Sequence, residues 1–350
     1  MSPVALRAAG ALALVGPVVM RRYDARRHRQ LTLNLVPDVL RAVSLQVGSA
    51  EPTRWVAQRA VISSTQVAVI MLGPAGKDPV AVLKIPSTPD GAASQRREAG
   101  ALTRLAEETS VGDFARLVPF RLAEGQIDGS PYTVERALPG RSVSPASTDP
   151  AELLRVATDA ATAVGLLHHR TAHTTLVDAP LLHTWIDDRL RVVEPATRRH
   201  HELARLRARL RSAWAGRTLS VGWVHGDFWP GNVLADPATG ATTGIVDWEW
   251  AGPRELPHHD IVYACLHRRM QTQHTELGDT VASLLNGAQW DADELALQQA
   301  AGMGAQPRVD PDVLLLVWLR QIAYNLIQGP AMAHNIIWTR RNVDSVLRAT

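Results

Sequence analysis

Val224-His225-Gly226-Asp227-Phe228-Trp229-Pro230-Gly231-Asn232 decides how this chain folds, because it places an acid five residues ahead of an amide just after an apolar, strand-like run, Ser220 to His225. Asn232 to Ala235 and Thr242 to Val246 then flank the turn Asp236-Pro237-Ala238-Thr239-Gly240, which reads as a tight hairpin. Twenty residues after Asp227, where the second hairpin strand ends, stands Asp247, between Ile245-Val246 and Trp248-Glu249. Taken alone, a loop aspartate is more often a turn former or helix cap than a reactive group. Loop, hairpin and second acid in this order make one unit, and that order distinguishes the stretch from an isolated His-Gly-Asp.

The spacing suits phosphoryl transfer, which asks a protein mainly to hold magnesium on the phosphates, to position an acceptor hydroxyl and to offer its proton a carboxylate. A short loop lets Asp227 face the acceptor while Asn232 turns its amide oxygen toward a metal, with Asp247 supplying a second hard oxygen ligand. Working outward toward the N-terminus, Trp55 to Ala60, Val67 to Leu72 and Pro79 to Pro86 read as strands, the last two joined by Gly73-Pro74-Ala75-Gly76-Lys77-Asp78. Val36 to Val47 and Ala92 to Glu108 read as helices, and Leu117 to Glu124 with Tyr132 to Ala137 as a second strand pair. Beyond Leu138-Pro139-Gly140, Asp149-Pro150 caps a helix running to about His169, and most of the remainder is helical.

The motif region resembles the aminoglycoside phosphotransferase and choline kinase group, small-molecule kinases with a protein-kinase-like fold. The resemblance is strongest from about Ser220 to Ala264, weaker from Val61 to His168, and absent before residue 50. It implies an α+β fold with a small β-rich N-terminal lobe and a larger, mainly helical C-terminal lobe. The expected divisions are an N-terminal helical extension over 1–50, a nucleotide-binding lobe over 51–138, and a catalytic and acceptor-binding lobe over 139–350. By the same resemblance Asp227 is the catalytic base, His225 orders its loop, and Asn232 and Asp247 hold Mg2+. Val80-Ala81-Val82-Leu83-Lys84 resembles the strand whose lysine holds the ATP phosphates, with Glu98 as its ion-pair partner. Tyr132 to Gly140 resembles the hinge at which backbone groups of Glu135, Arg136 and Ala137 meet adenine. No Gly-x-Gly-x-x-Gly is present; Val61-Ile62-Ser63-Ser64-Thr65-Gln66-Val67 stands in its place, so Ser63 and Ser64 are the candidate phosphate contacts. Asp260 resembles the aspartate that braces the catalytic loop, and its place ahead of an apolar run also suits a helix N-cap.

Composition agrees with such an enzyme. A chain of 350 residues, 46% hydrophobic and 20% charged, has the length for two lobes. Its 37 basic and 34 acidic residues leave a formal charge of +3, too small a surplus to imply a nucleic-acid partner. Only Lys77 and Lys84 are lysines, so a lysine kept where arginine is the habit draws attention. Cys265 is the single cysteine, which excludes an intrachain disulfide and a cysteine-based zinc site. Val4 to Met20, interrupted by Arg7, is short for a membrane span of about 20 residues and reads as a packing helix or an over-extended start, with a signal-like or peripheral membrane segment as the alternative; a need for ATP points to the cytoplasm in either case. The paired histidines His168-His169 and His258-His259 lack the spacing of a metal site.

The acceptor is expected to be a hydroxyl of a small molecule: an aminoglycoside or other antibiotic, a sugar, or an amino alcohol. Glu249, Glu255, Asp187 and Asp188 are candidate contacts for a cationic acceptor, and Trp185, Trp250, Trp318, Tyr324 and Trp338 for an apolar one, with core packing as the alternative for each aromatic. Val313 to Leu347 reads as an amphipathic helical pair. ATP and GTP are not distinguished, oligomeric state is left open, and a catalytically silent, nucleotide-binding scaffold is the competing reading.

Overall fold

The computed structural model describes residues 36–46, 50–63, 66–127, 129–143 and 148–350. The apolar run Val4 to Met20, the basic stretch that follows it, and Ser64 lie outside the described residues. Of the described residues, 36–142 and Asn232–Ala251 form one compact unit, and Val143–Gly231 with Gly252–Thr350 form another.

The first unit is built on a five-stranded antiparallel sheet, β1 (Val56–Ile62), β2 (Val67–Gly73), β3 (Ala81–Pro86), β4 (Arg121–Ile127) and β5 (Ser130–Arg136), in the order β1-β2-β3-β5-β4. Ile70, Leu72, Ala81, Leu83 and Val134 are fully buried and form its core. The helix at 36–46 lays Val36, Val39, Leu40 and Val43 onto that core, the i, i+3, i+4, i+7 stripe of an amphipathic helix. A second helix, Pro89–Glu107, starts three residues earlier than expected because the Thr88 hydroxyl accepts the Gly91 N–H as its N-cap and Pro89 suits the first turn. The strand expected from Leu117 begins at Arg121 instead: Thr109–Leu117 coils into 3-10 turns that bury Val111 and Phe114. The expected hairpin is present as Val233–Ala235 against Thr242–Ile245, closed by Asp236, whose carboxylate accepts the N–H groups of Ala238 and Thr239 at 2.9 and 2.8 Å. Arg141–Ser142 adds a third strand beside Val233–Ala235. Gly140, at φ +95°, is required there: a Cβ would overlap Thr243 Oγ1 and the Ala235 carbonyl.

The second unit is mainly helical. Asp149 caps Pro150–Thr171 by accepting the Ala151 and Glu152 N–H groups. A small antiparallel sheet of Gly252–Glu255, Thr218–Val224 and His173–Leu176 delivers the chain to His225. Helices His200–Trp214, His258–Gln273, Leu277–Leu285, Ala292–Ala300 and Pro311–Gln328 complete it. His200–Trp214 buries Leu203, Leu206, Leu210 and Trp214 and turns its arginine-rich face outward. Pro311–Gln328 corrects the expectation of an amphipathic pair, because every residue from Val313 to Ala323 is buried, polar Arg320 and Gln321 included. A helix apolar nearly all round belongs inside. Among the described residues, no helix is long and apolar enough to cross a membrane.

Candidate active site

In the first unit Lys84 is the centre of a buried ion cluster. β3 and β5 pair so that Lys84 lies opposite Thr133, and the two-residue period of a strand puts Glu135 on the same face as Thr133. Lys84 Nζ is 2.6 Å from Glu98 Oε2 and 3.0 Å from Glu135 Oε2. Gln95 completes the cluster: its amide donates to the Lys84 carbonyl and to Thr133 Oγ1, both at 2.9 Å. Burial works against the Lys84 charge, but the carboxylates of Glu135 and Glu98 outweigh it and hold the ammonium above its ordinary pKa. Glu135 is pushed up to about 7, chiefly by burial and by the nearby Glu98 charge, against the pull of Lys84 and Arg121.

The Glu135 side chain was not anticipated as an ion-pair partner, although the alternation of β5 carries the signal once its register with β3 is known. Arg136 N–H donates to the Phe120 carbonyl at 2.7 Å and Ala137 N–H to the Val80 carbonyl at 3.0 Å, so both of these backbone donors are used within the first unit. Ser63 is equally committed to structure. Its hydroxyl accepts the Val67 N–H at 3.1 Å and its own N–H donates to the Val67 carbonyl at 2.8 Å, which closes the turn between β1 and β2.

Asn232 and Asp247 stand at the same end of the hairpin. Ile245 pairs with Val233, and the Val246 N–H continues the ladder to the Asn232 carbonyl at 2.9 Å. Asn232 is buried, whereas Asp247 is exposed between the fully buried Ile245 and Trp248. Asp247 also has φ +69°, a left-handed conformation uncommon outside glycine and asparagine that concentrates at functional positions. The Trp248 indole N–H donates to the Ile245 carbonyl at 2.7 Å, fixing the turn. Helix Pro89–Glu107 reaches the same segment through Arg97, which pairs with Glu249 at 2.8 Å.

In the second unit, Asp260 organises the loop that carries Asp227. Its fully buried carboxylate accepts the His225 N–H at 2.8 Å and the Gly226 N–H at 2.7 Å, and His168 Nε2 lies 2.9 Å away. Although burial acts to raise its pKa, the bonds and charge from His168, with His225 and Gly226, keep Asp260 below the ordinary carboxylate value. Asp260 lies inside the first turn of His258–Gln273, whose N-cap is Pro257, so the expected N-cap role is replaced by the bracing one. Gly226 takes φ +87°, and its carbonyl accepts from the buried Arg320 guanidinium at 2.6 Å. His225 Nδ1 accepts the Asp227 N–H at 3.3 Å. Two residues far along the chain touch the Asp227 carboxylate: Gln321 donates to Oδ1 at 3.3 Å, and the Tyr263 hydroxyl hydrogen-bonds to it.

The carboxylates expected to receive a cationic acceptor are ion-paired. Glu249 bonds Arg97, Glu255 bonds Arg189 with Arg320 at 3.6 Å, Asp187 bonds Arg211 at 2.5 Å and Arg207 at 3.2 Å, and Asp188 bonds Arg191 at 2.8 Å. The aromatic candidates are mostly core: Trp185 and Trp318 are fully buried, Trp250 and Trp338 nearly so, and Tyr324 lies under Arg320. No cluster of three or more His, Cys, Asp and Glu suited to a metal occurs among the described residues.

The family model of phosphotransferase enzymes, APH, matches residues 66–297. The chain belongs to this family. No curated protein matches it significantly. Among solved structures it is similar to a candidate aminoglycoside phosphotransferase from Ralstonia eutropha, at 16% identity and a TM-score of 0.54 over 89% of this chain and 93% of that one. The GDP complex of aminoglycoside 2'-phosphotransferase-IIIa gives 16%, 0.53, 89% and 97%. A candidate fructosamine-3-kinase from Haemophilus somnus gives 10%, 0.51, 89% and 96%. Likeness at these identities establishes the fold: the phosphotransferase family's kinase-like α+β architecture, a β-sheet N-terminal region followed by a helical C-terminal region.

Proposed function

We propose that this phosphotransferase moves the γ-phosphate of ATP to a hydroxyl of a small molecule, an aminoglycoside or other antibiotic, a sugar or an amino alcohol, in the cytoplasm. The observation that carries this reading is the clamped loop at His225 to Asp227, held by Asp260 and Arg320 with the Asp227 carboxylate presented through Tyr263 and Gln321. A nucleotide bound in a family-like structure, the GDP complex above, adds support.

The N-terminal sheet unit is the nucleotide-binding part. Lys84, aligned by Glu98, holds the phosphates as a buried ammonium. Because Arg136 and Ala137 N–H are used within the sheet, the adenine edge is met by carbonyls of the Glu135 to Ala137 segment and by donors beyond it. Ser63, in the turn between β1 and β2, is the proposed phosphate contact, and Ser64 is proposed beside it from the sequence alone. The residues present suit magnesium: an amide oxygen from Asn232 and an exposed carboxylate from Asp247, hard donors at one end of a hairpin. When bound, magnesium neutralises charge on the phosphate oxygens.

Asp227 is the base, and His225 orders its loop. As the acceptor oxygen forms its bond to the γ-phosphorus, the hydroxyl proton passes to the Asp227 carboxylate and the bond to the β-phosphate oxygen breaks. The Gln321 and Tyr263 hydrogen bonds keep this carboxylate oriented beforehand. The ion pairs of Glu249, Glu255 and Asp187 argue against amine recognition at those three positions.

The test is an acceptor screen with isotopically labelled ATP, run in parallel with GTP, in which a phosphorylated product is followed by mass spectrometry. Product formation that requires magnesium and is lost in Asp227→Ala is the expected result. Normal nucleotide binding with no product from any cell-extract metabolite would instead identify a catalytically silent nucleotide-binding scaffold.

A further inference from the structure

Helix Pro89–Glu107 sends two consecutive side chains to two different targets. Successive residues on a helix point about 100° apart, so Glu98 and Arg97 leave the same turn in different directions. Glu98 Oε2 meets Lys84 Nζ at 2.6 Å. Arg97 donates to Glu249 Oε2 at 2.8 Å while its guanidinium lies 4.5 Å above the Trp250 ring. Glu249 and Trp250 are the second and third residues after Asp247. Between them and Asp247, Trp248 is fully buried and packs edge-on against Phe114, with centroids 6.0 Å apart.

We infer that Arg97 is a positioning residue that sets the distance and orientation between the Lys84–Glu98 pair and the carboxylate of Asp247. The inference rests on the roles proposed above for Lys84 and Asp247. Its physical basis is that Arg97 grips one flank of the Asp247 turn twice, by a charged hydrogen bond to a buried carboxylate and by stacking on an indole, while Trp248 anchors the turn beside it. A planar guanidinium does both at once; a lysine ammonium does only the first well. Glu249 is almost fully buried, so the Arg97 guanidinium sets a positive charge against a carboxylate that has left water. The strained backbone of Asp247, at φ +69°, is held by these neighbours.

Loss of Arg97 therefore leaves Lys84 and Glu98 paired but loosens the turn that carries Asp247. Binding of nucleotide without metal is retained, and the gain in affinity that magnesium brings is reduced. Calorimetry on the full chain measures this directly: ATP with EDTA and ATP with magnesium are titrated into wild type, Arg97→Met, Arg97→Lys and the double variant Arg97→Met/Glu249→Met, with a thermal melt of each. In metal sites, removing a group that orients a ligand costs about 10- to 100-fold in affinity. The magnesium-dependent tightening is expected to fall by roughly tenfold or more in Arg97→Met, by less in Arg97→Lys, and metal-free binding to stay within about twofold.

The double variant removes the buried charge together with its partner, so it reports on positioning if Arg97→Met alone fails to fold. A folded Arg97→Met or double variant with the wild-type magnesium effect overturns the inference and leaves the proposed function standing. Wild type that binds no nucleotide in either condition overturns the proposed function and the inference with it.

Discussion

Replacing Glu135 by glutamine removes one of two carboxylates that share the Lys84 ammonium, and the consequence depends on pH in a way that the geometry fixes. Glu135 is held at about 7 against an ordinary 4.5, through burial and the Glu98 charge with Lys84 and Arg121 opposing. A group whose folded pKa is raised gives up its proton sooner in the unfolded chain. Below about 4.5 both states are protonated and Glu135 carries no electrostatic penalty; from there to about 7 the penalty grows, and above about 7 it is complete. At about 1.4 kcal/mol for each tenfold change in proton affinity, the full penalty is about 3 kcal/mol. Glutamine keeps a carbonyl oxygen for Lys84 and has no charge to bury. Glu135→Gln is thus expected to match wild type near pH 4.5 and to become more stable by up to about 3 kcal/mol at pH 8. At roughly 2–4 °C per kcal/mol for a unit of this size, the Tm gap reaches about 6–12 °C. Thermal melts of both proteins across pH 4.5 to 8 decide it. Parallel profiles, or a wild-type advantage that grows with pH, would refute the reasoning.

Two further outcomes follow from the loop. Tyr263→Phe and Gln321→Leu each take a hydrogen bond from the Asp227 carboxylate, the proposed base, so kcat should fall by roughly 2- to 10-fold in each, at about 0.5–1.5 kcal/mol per bond, with nucleotide affinity held; a wild-type kcat in both variants would refute orientation of Asp227 by these two bonds. Asp260, held below the ordinary carboxylate value, contributes stability that is complete above about pH 4 and is lost as pH falls through its depressed pKa. Asp260→Asn should lower Tm at neutral pH, with roughly 1.5–3 kcal/mol at stake for each charged hydrogen bond weakened, and should lack that acid-induced loss; superimposable Tm profiles from pH 3 to 7 would contradict this.

How much could be read in advance depends on chain distance. The loop, the hairpin and Asp247 are consecutive, so their spacing alone places Asn232 and Asp247 at one end of a ladder. Lys84 and Glu98 are 14 residues apart, strand then helix, and their pairing was legible from that order. Glu135 was assigned for its backbone because nothing local says which face of β5 it occupies; that is set by register with β3. Arg97 meets Glu249 across 152 positions and Gln321 meets Asp227 across 94, contacts that depend on how whole elements pack. The same limit explains the late start of β4: burial of Val111 and Phe114 holds the preceding residues in turns that local strand propensity does not foresee.

With the magnesium role proposed for it, the left-handed backbone of Asp247 sets folding and chemistry against each other at one residue. Such a conformation costs a side-chain-bearing residue on the order of 1 kcal/mol or more, and glycine accepts it freely. A library randomised at 247 and sorted for expression alone should drift toward glycine or asparagine, while the same library sorted for turnover should return aspartate. The position is one where evolution under selection for robustness and evolution under selection for activity would leave different signatures.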